Sequence, residues 1–274
     1  MNIEATTTLN NGVAIPWFGL GVYKSAPGGE TRNAVRWAIE AGYRHVDTAA
    51  FYANEADVAD GIQDAAVDSD SVFVTTKLWN DDHGYERTLA AFDRSRSLLR
   101  RDVIDLYLIH WPIKGLFLDS WRAMEKLYAE GKVRAIGVSN FLIQHLEMLL
   151  ENSEVPPAIN QVEWHPFVLQ QPLVDYCRER QIQLEAWSPL ARGKYFDNPT
   201  ISGLAQKYGK TPAQIMIRWD LEHGVVTIPK SVHRERILEN SRVFDFSLTE
   251  EDVGALDALD RDERLGMNPS DLDN

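Results

Sequence analysis

Cysteine is nearly absent from this chain. Cys177, in Val174-Asp175-Tyr176-Cys177-Arg178, is the only one among 274 residues. No intrachain disulfide can form, and nothing in the sequence requires an oxidising compartment. No activating motif surrounds that thiol, so it reads as a helix residue and not as a nucleophile. Long apolar runs are missing too. No stretch reaches the roughly 18 residues of a membrane span. The opening Met1-Asn2-Ile3-Glu4-Ala5 lacks the basic-then-apolar order of a secretory signal, so cytoplasm is the expected location. Positive charge is scarce: Lys and Arg number 28 against 41 Asp and Glu, a formal net charge of −13. That balance argues against nucleic acid or an anionic membrane surface as partner. None of the 7 histidines falls in His-Glu-x-x-His or pairs with cysteine at ligand spacing, so no metal is expected. His45, His83, His145 and His223 read as structural or surface residues, and His165 lies just past a strand end.

Two glycine motifs also fail. Gly203-Leu204-Ala205-Gln206-Lys207-Tyr208-Gly209-Lys210-Thr211 has one residue too many between its glycines for a phosphate-binding loop. It reads better as a helix, a glycine stop and a new cap. Gly19-Leu20-Gly21 lacks the third glycine and the acidic ribose ligand of a dinucleotide fingerprint, which makes a Rossmann domain a poor fit.

What is present is a repeating pattern in a chain with 44% hydrophobic residues. Thr6–Leu9, Asn10-Asn11-Gly12 and Val13–Ile15 predict a β-hairpin over about residues 6–15, with Asn-Gly supplying the positive φ values of a tight turn. Eight short apolar runs follow, near Pro16–Gly21, His45–Asp47, Val72–Lys77, Ile104–His110, Val133–Ser139, Ala158–Glu163, Gln183–Trp187 and Val225–Ile228. Helical patterns lie between them. Thr31 is placed to cap a helix carrying Val35, Ala38 and Ile39, with Gly42 as its stop. Leu89, Phe92 and Leu99 mark a stripe, Leu118–Tyr128 is helical with Gly131 ending it, and Thr211-Pro212 opens a helix running to Leu221. Uninterrupted strand–helix alternation means parallel strands with crossover helices, and eight units suggest closure. The expectation is an α/β chain forming one (β/α)8 TIM barrel domain over residues 1–274. The hairpin plugs one end, and a polar tail (261–274) lies over the surface or the active rim.

The strand ends carry the chemistry. Asp47, Lys77 and His110 each close a run, and Tyr52 follows Asp47 shortly. In such a barrel all four collect at the C-terminal rim. Each has a dull explanation alone: a cap, a packed aromatic, a solvated strand end, a rim histidine. Together they are chemically coherent. Free tyrosine has a pKa of about 10. An ammonium nearby favours the phenolate, lowers that pKa and makes proton transfer feasible near neutral pH. A carboxylate holds the ammonium, and a histidine can orient a carbonyl oxygen. These are the parts of an acid that protonates a developing alkoxide.

Gly42-Tyr43-Arg44-His45-Val46-Asp47-Thr48-Ala49, Thr76-Lys77-Leu78-Trp79-Asn80, Asp105–Pro112, Gly137-Val138-Ser139-Asn140-Phe141 and Ile228-Pro229-Lys230-Ser231 together resemble the signatures of the aldo-keto reductase family. The likeness runs in order from about Leu9 to about Asp271. It is nearest to the bacterial branch of 2,5-diketo-gluconate and glyoxal or methylglyoxal reductases; Trp187-Ser188-Pro189-Leu190 with Gly193-Lys194-Tyr195 resembles the former in particular. The resemblance implies a barrel that binds NADPH at its C-terminal rim, with NADH as a weaker alternative. It implies Tyr52 as proton donor, Lys77 and Asp47 as its tuning groups, and His110 as the group that orients the carbonyl. Ser139, Asn140 and Gln161 hold the nicotinamide carboxamide, and Trp187 stacks on its ring. Ser188, Leu190 and Arg192 track the pyrophosphate. Lys230, Ser231 and Arg236 bind the 2′-phosphate, and Glu239 and Asn240 the adenine. Two cations and a hydroxyl suit a dianion. His233 stands where close relatives often carry Arg, which removes a permanent charge near the ribose.

Tyr23, Trp79 and Trp111 match aromatic substrate positions, with Phe51 a weaker candidate. The short Pro112–Phe117 loop and short tail imply an open pocket for small carbonyls, dicarbonyls or keto-sugars. A monomer is expected, since no long apolar face is left over. Two other readings stand beside this one. The first is a cofactor-binding redox sensor or structural protein on the same fold. The second is a barrel hydrolase using Asp47 and a second rim carboxylate such as Glu163.

Overall fold

The computed structural model describes residues 1–272, so the last two residues of the expected tail lie outside the described residues. Strands β1 (Thr6–Thr8) and β2 (Ala14–Pro16) form the antiparallel hairpin. Its turn differs from the expected one. Leu9 N–H donates to the Val13 carbonyl, leaving residues 10–12 as the loop, and among them only Gly12 takes a positive φ, 87°. Asn11 instead accepts from Val13 N–H through its side chain at 3.2 Å. Glycine alone supplies the left-handed backbone, and the asparagine supplies a side-chain acceptor.

The eight predicted runs become eight parallel strands: β3 (Leu20–Gly21), β4 (His45–Asp47), β5 (Phe73–Leu78), β6 (Ile104–Ile109), β7 (Val133–Ser139), β8 (Ile159–Glu163), β9 (Gln183–Trp187) and β10 (Val226–Thr227). They pair in chain order from β3 to β10. The ring closes through the residues just before β3. Gly19 N–H donates to Thr227 O and Thr227 N–H to Trp17 O, both at 3.0 Å. Gly19 is required there, because a Cβ would sit 2.7 Å from Nδ1 of the buried His45 ring. Gly19→Ala is therefore expected to cost about 1–3 kcal/mol through overpacking. Equilibrium urea unfolding reads this directly, and an unchanged midpoint would contradict it.

The crossovers are α1 (Gly29–Glu40), α2 (Glu55–Asp64), α3 (Tyr85–Leu99), α4 (Phe117–Ala129), α5 (Ile143–Glu151), α6 (Gln171–Glu179), α7 (Pro199–Tyr208) and α8 (Pro212–Glu222), with α9 (Arg234–Asn240) and α10 (Glu250–Asp257) after the last strand. Thr31 does not cap α1. The N-cap lies three residues earlier, at Gly28 with φ 90°, and the Thr31 hydroxyl donates back to Ala26 O at 2.8 Å. The Gly28-Gly29 pair lets the chain turn sooner than a threonine cap would. At α8 the reading holds: Thr211 and Gln214 satisfy each other's backbone N–H groups, a reciprocal capping box. Gly209, at φ 62°, ends α7 as the glycine stop.

The hairpin seals the N-terminal end. Leu9 and Ile15 pack with Phe73, Leu106, Leu108, Ala135, Ile159 and Val226 inside the ring. Asn10 and Asn11 donate to the carbonyls of Pro157 and Arg134 at 3.0 Å each. With that end closed, the open rim is the C-terminal one.

Candidate active site

Asp47 is the last residue of β4, Lys77 the next to last of β5, and His110 the first after β6. Ser139 ends β7, Gln161 lies in β8, and Trp187 ends β9. Tyr52 reaches the same rim from a single 3-10 turn, Ala50–Tyr52. That turn is pinned by Asn54, whose Oδ1 accepts from the Thr48 hydroxyl at 2.8 Å and whose Nδ2 donates to Val22 O at 3.1 Å. Asn54 is buried and carries no sequence signal beyond its position.

Lys77 Nζ donates to Asp47 Oδ1 at 2.6 Å, to Thr48 O at 2.9 Å and to the Tyr52 hydroxyl at 3.5 Å. The His110 ring meets the Tyr52 ring edge-on at 5.7 Å. The four side chains singled out from the sequence thus form one cluster. Lys77 is fully buried and Asp47 nearly so, so this ion pair is shielded from solvent and salt. Breaking such a pair from one side leaves an uncompensated buried charge.

The protonation states differ from the simple expectation in one respect. Burial pushes the Tyr52 phenol well above its ordinary value, with the carboxylates of Asp47 and Glu185 and the neighbouring Tyr23 pushing the same way. Burial outweighs the lowering expected from the Lys77 ammonium 3.5 Å away. Tyr52 therefore holds its proton at neutral pH. Burial, with Lys77 adding to it, pushes His110 well below the usual imidazole range, so that ring is neutral and can donate or accept a hydrogen bond without carrying charge. Burial raises the Asp47 carboxyl, while Lys77 and Gln161 draw it back.

A cavity of about 670 Å³ opens over the cluster. Asp47, Tyr52, His110, Ser139, Asn140, Gln161, Trp187, Ser188, Leu190, Arg192 and Lys230 from the sequence reading all line it, as do Tyr23, Trp79 and Trp111. Phe51 joins them, stacked on Trp79 at 3.8 Å. The polar floor is already knitted together. Trp187 Nε1 donates to Asn140 Oδ1 at 2.8 Å, Asn140 Nδ2 donates to His110 O and Ser139 Oγ, and Ser139 Oγ donates to Gln161 O. Each of these donors finds its acceptor within the rim.

Four of the expected cofactor residues do not line the cavity: Ser231, Arg236, Glu239 and Asn240. Ser231 Oγ accepts from His233 N–H at 3.1 Å, at the start of α9. Arg236 is exposed on α9. Glu239 accepts from the Thr211 hydroxyl at 2.9 Å, and Asn240 is buried. Lys77 is also off the cavity wall, behind Tyr52. Glu163 stands at the rim end of β8 but does not line the cavity. It accepts from Leu265 and Gly266 N–H at 2.7 and 3.1 Å, tying down the tail.

Of the two places expected for the tail, over the surface or over the active rim, residues 265–267 take the rim, although the sequence reading assigns none of them to the cavity wall. Leu265, Gly266 and Met267 line the cavity, and a Cβ on Gly266 would lie 2.4 Å from the Trp187 ring. The glycine at 266 is the one available signal. Among the described residues, no group of three or more His, Cys, Asp or Glu side chains could hold a metal ion, and no helix is long and apolar enough to cross a membrane.

A family model described as the Aldo/keto reductase family matches residues 18–261. The chain is 53% identical over 271 residues to glyoxal reductase of Bacillus subtilis (strain 168), covering 99% of this chain and 98% of that one. It is 46% identical over 265 residues to methylglyoxal reductase DkgA of Escherichia coli (strain K12), covering 95% of each. A solved structure of a Gox0644 mutant in complex with NADPH matches with a TM-score of 0.93 at 41% identity, covering 97% of this chain and 98% of that chain. The chain belongs to the aldo/keto reductase family and is an oxidoreductase.

Proposed function

We propose that this chain reduces small aldehydes and ketones to alcohols with NADPH, and that Tyr52 donates the proton. The observation that carries the reading is the Tyr52 hydroxyl 3.5 Å from an ammonium that is itself 2.6 Å from Asp47, at the floor of a cavity. A protein that only bound a cofactor would have no use for that buried arrangement.

The residues fit the cofactor. Trp187 offers a flat, half-buried face at the cavity wall, and Ser139, Asn140 and Gln161 offer polar atoms beside it. Arg192 and Lys230 put positive charge along the cavity in a chain whose net charge is −13, as suits an anionic ligand. When bound, NADPH supplies the hydride to the carbonyl carbon and, in reverse, NADP+ accepts it. The neutral His110 orients the carbonyl oxygen, and Tyr52, protonated at neutral pH, gives its proton to the developing alkoxide. Lys77 stabilises the phenolate left behind, in a buried setting where charge counts for more than in water. The names of the glyoxal and methylglyoxal reductase relatives support small dicarbonyls as substrates.

The test is NADPH absorbance followed against a panel of carbonyls that includes methylglyoxal and a nitrobenzaldehyde, repeated with NADH. Steady NADPH loss with at least one small dicarbonyl is expected, and no loss with any of them would overturn the reading. Arg236→Ala is expected to weaken NADPH about 10-fold or more while changing NADH little, since one charge-assisted contact to a phosphate is lost. Equal losses for both nucleotides, measured by fluorescence titration, would remove Arg236 from the 2′-phosphate site.

A further inference from the structure

Beneath the proposed proton donor lies a second buried acid. Glu185, in β9, is fully buried. Its Oε2 accepts from Gln161 Nε2 at 2.9 Å, and the same nitrogen donates to Asp47 Oδ2 at 2.8 Å. Its Oε1 has no hydrogen-bond partner and stands 3.6 Å from His45 Nε2. One amide nitrogen thus bridges two carboxyl groups, and Lys77 pairs with only one of them.

We propose that Glu185 is a positioning residue whose ionisation above neutral pH opposes loss of the Tyr52 proton, holding back alcohol oxidation until higher pH. The inference rests on the reading of Tyr52 given above. The groups around Glu185 are His45 and Asp47 from β4, Lys77 from β5 and Gln161 from β8; Tyr52 is joined to them through Lys77, which reaches both Asp47 and the Tyr52 hydroxyl. Its neighbour across β10 is the uncharged Val226. His45 brings no charge, since burial and Lys77 push its ring down to about 3. With Asp47 matched by Lys77, Glu185 keeps its proton, and burial and Asp47 push its carboxyl up to about 8. Above that value a second negative charge appears in the barrel and opposes phenolate formation at Tyr52. Reduction needs the phenol, which burial already preserves, and is not impeded. Oxidation needs the phenolate to take the alcohol proton, and is delayed.

The experiment measures kcat/KM against pH for oxidation of nitrobenzyl alcohol with NADP+, in the wild-type protein and in Glu185→Gln. Removing the charge is expected to move the rising limb roughly one pH unit lower. A lower kcat with the limb unmoved would mean a structural role only, and would overturn the proposal. A second readout needs no activity. Between about 4.5 and the folded value, the unfolded chain ionises Glu185 while the folded chain keeps the proton, so wild-type stability falls as pH rises and the loss is complete above about 8. Urea unfolding should therefore show Glu185→Gln gaining on the wild type as pH rises. A difference independent of pH would overturn the proposal. Should Glu185→Gln not fold, Glu185→Thr keeps a polar atom in less volume and serves both measurements. Failure is assignable: turnover that survives in Tyr52→Phe sinks the underlying reading, whereas lost turnover there with an unmoved limb in Glu185→Gln sinks this inference alone.

Discussion

Replacing Tyr52 with Phe is expected to lower carbonyl turnover by about 10²–10⁴-fold, the usual worth of a positioned general acid. NADPH affinity should change little, because the hydroxyl removed faces Lys77 at 3.5 Å and the ring contacts with Tyr23 and His110 remain available. Steady-state turnover and a cofactor titration on the same preparation separate the two effects. Wild-type turnover in the variant would remove Tyr52 from the reaction. Loss of turnover together with loss of cofactor binding would point to a damaged rim.

Lys77→Met is expected to lose both turnover and stability. The ammonium is fully buried and makes hydrogen bonds to Asp47, Thr48 O and Tyr52. Removing it leaves the Asp47 carboxylate buried and unpaired, which costs about 3–5 kcal/mol. The sign of the pH dependence follows. Without its partner, the Asp47 carboxyl is raised further by burial and stays protonated in the fold. The variant's deficit is then smallest at acidic pH and grows as pH rises through the folded value. Adding Asp47→Asn should restore much of the stability without restoring turnover, a non-additive result that urea unfolding of the single and double variants reads directly. Additive stability losses would mean the two groups do not act as a pair.

The strands and their ends are legible in the sequence because a barrel strand leaves a short apolar run and ends in a polar residue at the rim. Asp47, Lys77 and His110 stand out in this way, and they converge with Tyr52 as expected. Positions that depend on packing are less legible. Thr31 has the chemistry of a cap, yet Gly28-Gly29 lets α1 start earlier. Glu185 sits within an apolar run, and nothing local marks it as a buried acid sharing Gln161 with Asp47. The tail's contact with Trp187 depends on about 80 intervening residues of fold. A pairwise argument from Lys77 gives the wrong direction for the Tyr52 shift, because it leaves out burial and the charge of Asp47.

The origin of the transferred proton is tested most directly by single-turnover reduction of methylglyoxal in H2O and D2O, in the wild type and in Tyr52→Phe. The account predicts a normal solvent isotope effect in the wild type and, in the variant, a single-turnover rate lower by about 10²-fold or more in both solvents. Equal single-turnover rates in the two proteins would contradict it.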